Sequence, residues 1–238
     1  MKFDYIADLL PGRTNWCINA KVLHSWRVRE FFTKRVLLLV DEKGDTIEAP
    51  LPDALANLPK YIDDGEWYSI RNFKVINPTV EERNTHHPYQ IKFTGKTTMY
   101  LLESLSPKNY FRFEDLDDIK RGRIDHPISF DVSACIMDVE DRRSPASIID
   151  INEVVLMLLN GRCETVKCRL KDNYASQFRT IWQSSGCYLI YKSEPLFCVM
   201  RFMRVGEYEG APCLENTLDS SKIFIKPKFE GLEHHQAM

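Results

Sequence analysis

The sequence has no CxxC pair, no long apolar run and no surplus of positive charge. Its seven cysteines, Cys17, Cys135, Cys163, Cys168, Cys187, Cys198 and Cys213, are odd in number and scattered. That spacing argues against both a zinc ribbon and a disulfide framework, and no metal site is expected. Most of them fall at strand-like positions, where a free thiol packs as a small hydrophobe. A reducing compartment, cytosol or nucleus, follows. The longest apolar stretches, Val36–Val40 and Val154–Leu159, are far too short to span a bilayer. Asp4 and Asp8 interrupt the N-terminal apolar residues, so neither a signal peptide nor a membrane partner is expected. Lys and Arg total 32 against 34 Asp and Glu, a net charge of −2. That balance argues against a broadly basic nucleic acid binder; any such site must be a local groove. The chain carries no Walker loop, no nucleophile elbow and no dinucleotide fingerprint. It is therefore expected to use no cofactor and not to be an enzyme. A nucleophilic Cys163 or Cys187 would rest on nothing beyond residue type, and a buried structural thiol is the default.

What the chain does contain is an internal repeat. Val36–Leu51 (VLLLVDEKGDTIEAPL) aligns without a gap on Val155–Leu170 (VLMLLNGRCETVKCRL). Each copy has an apolar run, a polar turn and a period-two stretch, the pattern of a β-hairpin with one buried face. Glu42–Asp45 and Asn160–Arg162 are expected to supply the positive-φ turn residues. Both copies then change period. Leu55, Leu58, Tyr61 and Ile62 recur at helical spacing, as do Tyr174, Phe178, Ile181 and Trp182. Further strands follow, with Phe73-Lys74-Val75 matching Met203-Arg204-Val205. The final strands are read at Tyr89, Ile91 and Phe93 in one copy and at Ile223 and Ile225 in the other. Upstream of each hairpin runs one more alternating strand, with Trp16, Ile18, Ala20 and Val22, and with Ile128, Phe130, Val132 and Ala134.

The order β-β-β-α-β-β in both halves is that of the five-stranded Greek-key barrel called the OB-fold. The sequence therefore predicts an all-β tandem of OB-folds, each with one helix between strands three and four. The first spans 1–103, a linker 104–116, the second 117–228 and a disordered tail 229–238. Two unrelated α+β domains would not give the gapless hairpin match.

The opening Phe3-Asp4-Tyr5-Ile6-Ala7-Asp8-Leu9-Leu10-Pro11-Gly12-Arg13-Thr14-Asn15-Trp16 carries a family likeness. So do Val40–Gly44, His87-Pro88-Tyr89, Arg204–Gly210 and Leu214–Thr217. On these motifs the chain resembles the large subunit of replication protein A, in its plant-type paralogues, over the two central DNA-binding barrels. The resemblance implies single-stranded DNA binding in replication, repair or recombination, in the nucleus, with RNA as a variant ligand. Replication and repair proteins are implied as partners. The family's zinc-bearing trimerisation barrel has no counterpart here, so heterotrimer assembly is not expected.

Single-strand binders combine a basic groove with aromatic faces. In an OB-fold the groove lies over strands two and three, flanked by the 1–2 and 4–5 loops. The first 1–2 loop, Trp26–Arg35, interleaves Arg27, Arg29, Lys34 and Arg35 with Trp26, Phe31 and Phe32. It reads equally as a phosphate clamp or as a loop whose phenylalanines enter the core. Lys74 on strand four is a further candidate cation. His86-His87 with Arg83 reads as a polar loop, not a metal site. The second barrel's 1–2 loop is read at Glu140–Arg143, where Arg142 and Arg143 are partly offset by Asp138, Glu140 and Asp141. Arg204 and Tyr208 match the family's phosphate-contacting cation and stacking aromatic; without the resemblance Tyr208 reads as an ordinary hairpin aromatic. Strand three ends in Leu51 and Lys171 where the family stacks a base, and the first 4–5 position falls near Glu82. Only Tyr208 of four expected aromatics is kept, unless Trp26, Phe31, Phe32 or Tyr174 substitute. Lys171 would still attract phosphate. The alternative reading is a diverged protein-interaction module with an eroded groove.

Overall fold

The computed structural model describes residues 3–28, 34–52, 58–79, 83–124, 127–143, 152–229 and 232. The chain divides into two compact units, Met1–Tyr110 and Phe111–Met238. In the first unit, β1 (Cys17–Val28), β2 (Lys34–Val40), β3 (Thr46–Leu51), β4 (Trp67–Arg71), β5 (Lys74–Ile76), β6 (Gln90–Lys92) and β7 (Thr98–Leu102) follow a 3-10 turn at Ile6–Asp8. They form a sheet ordered β3-β2-β1-β4-β7 and a ribbon β5-β6. Side chains join β3 to the segment leading into β6. The Thr85 hydroxyl donates to the Thr46 carbonyl (2.6 Å), and Arg83 Nε donates to Glu48 Oε2 (3.2 Å).

The second unit holds α1 (Leu116–Lys120), β8 (Phe130–Arg143), β9 (Asn152–Leu159), β10 (Thr165–Lys171), α2 (Asp172–Ser184), α3 (Cys187–Ile190), β11 (Leu196–Tyr208), β12 (Ala211–Asn216) and β13 (Lys222–Ile225). Here the ring closes: β8 pairs β9, β9 pairs β10, β10 pairs β12, β12 pairs β11 and β11 returns to β8.

The two hairpins share one register. Leu37 faces Ala49 and Leu39 faces Ile47, as Leu156 faces Cys168 and Leu158 faces Val166. All eight side chains are fully or almost fully buried, so period-two alternation places one face of each hairpin in its core. Both turns are built alike. Asp41 Oδ1 accepts from the amides of Lys43 and Asp45; Asn160 Oδ1 accepts from those of Arg162 and Glu164. The left-handed position belongs to Gly44 (φ 93°) in one and Cys163 (φ 60°) in the other. Asn160–Arg162, expected to supply that residue, do not, because the turn is anchored on the Asn160 side chain and its positive-φ residue comes three positions later.

The alignment of Phe73–Val75 with Met203–Val205 extends along the whole strand. Ile18 faces Ile70 and Val132 faces Met200, and the same bend follows, with positive φ at Asn72 and Phe202. The last barrel strand is split in both copies. Thr97 Oγ1 donates to the Asn72 carbonyl, and Ser221 Oγ donates to that of Phe202, where the strand kinks. The final strands read from sequence are therefore not equivalent to each other: β6 is the first half of this strand in one copy, and β13 is the second half in the other.

The helix between strands three and four is present as α2, which buries Tyr174, Ala175, Phe178 and Trp182. In the first unit residues 53–57, with Leu55, lie outside the described residues, and Leu58–Ile62 are irregular. Segment 104–116, read as the linker, makes contacts within each unit. Ser106 accepts from Trp67 Nε1 and Lys108 from Lys21 Nζ in the first unit, while Phe111 and Phe113 stack in the second. Of the expected tail, Phe229 packs on Phe111 and Phe224, and Leu232 is buried; 230, 231 and 233–238 lie outside the described residues.

A Cβ in the left-handed region costs about 1 kcal/mol. Cys163→Gly should therefore raise the stability of the second unit by about that amount, and Gly44→Ala should lower that of the first. Urea unfolding of the full chain, with Trp182 reporting on the second unit and Trp16, Trp26 and Trp67 on the first, checks both.

Candidate nucleic-acid interface

Alternation along β10 turns Val166, Cys168 and Leu170 inward, where all three are buried. It turns Lys167, Arg169 and Lys171 outward, three cations on one face of one strand. The neighbouring strands complete that face. Arg169 sits opposite Val155, and Lys171 opposite Glu153. On β11, Arg204, Gly206 and Tyr208 face Glu215, Cys213 and Ala211 of β12.

Tyr208 is only 7% exposed, yet it is not in the barrel core. It packs on Val155 and Cys213 in a small cluster of its own on the outer face. Three cations surround its ring: Lys167 Nζ at 4.9 Å from the centroid, and the guanidinium carbons of Arg142 and Arg169 at 5.3 and 5.5 Å. Such contacts stabilise a cation over an aromatic face. The long stems of these side chains cover the ring, as amphipathic cations commonly do. Burial pushes the Tyr208 hydroxyl up from its ordinary pKa.

Each cation is also met by a carboxylate. Lys167 Nζ pairs with Glu209 Oε2 at 2.5 Å, and this hydrogen bond raises the lysine and lowers the glutamate. Arg169 pairs with Glu153 and, at 3.4 Å, with Glu215; the bond to Glu153 is the main cause of its raised pKa. Lys171 Nζ pairs with Glu215 Oε2 at 2.7 Å, and Arg142 Nε with Glu140 Oε1 at 2.7 Å. The face is thus basic along β10 and nearly neutral as a whole.

The structure separates the residues singled out from sequence. Lys171, Arg204 and Tyr208 share this outer face, Arg204 lying opposite Glu215. Tyr208 is covered and not presented as an open ring, which differs from the exposure expected of a stacking platform. Arg27 is exposed on β1. Arg35, one of the cations of the phosphate-clamp reading, is half-buried. Its Nη2 donates to Ser25 Oγ (2.9 Å) and to the Ile62 carbonyl, which ties it to its own barrel. Lys34 opens β2 opposite Val28; its side chain, Arg29, Phe31 and Phe32 lie outside the described residues. Lys74 is exposed on β5 opposite the exposed Lys92. Of the substitute aromatics, Tyr174 is buried in the core, and Trp26 is half-buried beside His24.

Glu140–Arg143 belong to β8 and not to a loop, because the strand runs on to Arg143 before residues 144–151, which lie outside the described residues. His87 hydrogen-bonds the carbonyl of Ile6, and no metal-binding group of His, Cys, Asp and Glu occurs among the described residues. Burial raises the Cys168 and Cys198 thiols and pushes Cys213 up to about 11. No helix among the described residues is long and apolar enough to cross a membrane.

Lys167 and Arg169 were legible as the polar half of an alternating strand, and Glu215 lies inside a motif that carried the family likeness. The pairing of Glu215 with Lys171 and Arg169 crosses 44–46 residues and leaves no local signal.

The family model described as "Domain of unknown function DUF223" matches residues 7–122, most of the first unit and the beginning of the second. No curated protein sequence matches the chain. Among solved structures, the chain is similar to one from a replication protein A heterotrimer bound to ssDNA, with a TM-score of 0.63 and 18% identity. The match covers 99% of this chain and 54% of that one. It is also similar to DNA binding domain A of S. cerevisiae replication protein A, at 18% identity and a TM-score of 0.33, over 44% of this chain and 96% of that domain. The chain thus spans about half the length of the first of these, and at this identity the likeness is one of fold. With the strand order of both units, it identifies the chain as an all-β tandem of OB-folds.

Proposed function

We propose that the chain binds single-stranded DNA without catalysis, and that the outer face of β9, β10 and β12 is the groove that takes the strand. The observation that carries this reading is the row Lys167, Arg169, Lys171 beside a tyrosine ringed by three cations. Cations at alternate positions of one strand lie about 7 Å apart, close to the spacing of successive phosphates on a strand. An aromatic at their end supplies a face on which a base stacks once the covering side chains move to phosphate. Arg27 and the facing pair Lys74 and Lys92 offer further phosphate contacts on the first barrel. A role in replication, repair or recombination in the nucleus fits the family likeness of the motifs.

A second reading, a protein-interaction module, is favoured by the carboxylates. Glu153, Glu209 and Glu215 already satisfy the groove cations, so the face could meet a partner of mixed charge without net attraction to phosphate.

Fluorescence anisotropy with a labelled single strand, against duplex and RNA competitors, separates the two. Arg169→Ala and Lys171→Ala should each weaken binding and lower the salt slope by about 0.7 for every phosphate no longer neutralised. Affinity that ignores both salt and these substitutions supports the protein-interaction reading instead.

Tyr208→Ala should act in two places. Removing a packed side chain from above Val155 and Cys213 should lower the melting temperature of the second unit. It should also cost about 1–3 kcal/mol of single-strand affinity in the folded protein. Calorimetry and anisotropy on the one variant check both; a stability loss with wild-type affinity would remove Tyr208 from the site.

A further inference from the structure

Glu215 sits at the centre of the β10–β12 face in a seat made for it. Its carboxylate lies between Arg169 Nη1 at 3.4 Å and Lys171 Nζ at 2.7 Å. The side chain crosses directly over Gly206. A Cβ on residue 206 would stand 2.3 Å from Glu215 Cδ and 2.6 Å from Oε2, closer than non-bonded atoms approach. Gly206 has an ordinary strand backbone, without positive φ. Its lack of a side chain is thus required for space and not for conformation.

Among its described residues the first barrel has no such arrangement. By the shared register, Ile76 stands where Gly206 does and Lys92 where Glu215 does. The masking acid and its glycine seat are therefore specific to the barrel that carries the cation row. Arg169 is also incompletely matched: its Nε is buried and has no hydrogen-bond acceptor, while both terminal nitrogens are held by carboxylates.

We propose that Glu215 is a built-in stand-in for phosphate. It holds Arg169 and Lys171 while the groove is empty, and a phosphodiester of the incoming strand displaces it. A carboxylate and a phosphate offer a guanidinium or ammonium the same kind of charged acceptor, so the two compete for one pair of cations. The groove is competent only in the fraction of molecules whose carboxylate has swung away, and the apparent affinity falls by that fraction. Gly206 sets the fraction by allowing the carboxylate to lie flat. This inference rests on reading the face as a single-strand groove.

The test compares the full chain with Glu215→Gln and Gly206→Ala, using a labelled oligothymidylate and the same sequence on an uncharged methylphosphonate backbone. Glu215→Gln should bind the phosphodiester strand on the order of three- to ten-fold more tightly, as expected for releasing partly exposed ion pairs. Gly206→Ala removes no charge, yet its Cβ evicts the carboxylate, so it should shift affinity in the same direction. Neither should alter binding of the uncharged strand. Wild-type or weaker affinity in Glu215→Gln, with Lys171→Ala still weakening binding, overturns the masking proposal and leaves the groove in place. If Arg169→Ala and Lys171→Ala also leave affinity unchanged, or if neither the wild type nor Glu215→Gln binds the strand, the groove reading fails with it. Should Gly206→Ala not fold, the Glu215→Gln result decides alone.

Discussion

Each barrel depends on the register of one hairpin, and that register is locked by a single side-chain oxygen. Asp41 and Asn160 each gather two amides of their own turn. A slip of one residue would turn every side chain of the strand to the opposite face. In the second unit it would send Lys167, Arg169 and Lys171 into a core that holds Phe130, Leu156 and Phe178. The cost of burying unpaired cations makes that register inaccessible. The turn therefore fixes which face is core and, by the same act, which face carries the outward cations.

On this shared frame the two copies differ in charge. Glu48, Pro50 and Pro52 of the first copy stand at the positions of Lys167, Arg169 and Lys171 in the second. Glu48 is 3% exposed and held by Arg83 and Asn84, so the first barrel uses this position to close itself. The second barrel closes through the backbone ladder between β10 and β12, which leaves the same position for a cation. Closure by ladder or by side chain thus goes with a cation or a buried carboxylate at this position.

The hairpins, α2 and the strand-four alignment were legible in the sequence because they repeat and because alternation is a local property. The split of the last strand was not legible. Ala211–Asn216 contains Pro212, which weakens a strand pattern, and the kinks at Thr97 and Ser221 depend on hydroxyls reaching back to carbonyls over 19–25 residues. The cation row could be read from alternation alone. Its neutralisation by Glu153, Glu209 and Glu215 could not, since it arises only when β9, β12 and the turn between β11 and β12 are laid beside β10. The burial of Tyr208 was hidden for the same reason: its cover is made of side chains from β8 and β10.

The most direct test of the groove is side-chain NMR of the arginines during titration with a single strand. Arg169 Nε–H, buried and without an acceptor in the free protein, is the reporter. Exchange of the Glu215 carboxylate on the same guanidinium for a phosphate should shift this resonance, and the shift should saturate with those of the backbone amides of β10 and β12. A strand that binds while the Arg169 resonance and those amides stay in place would contradict the assignment of this face as the groove.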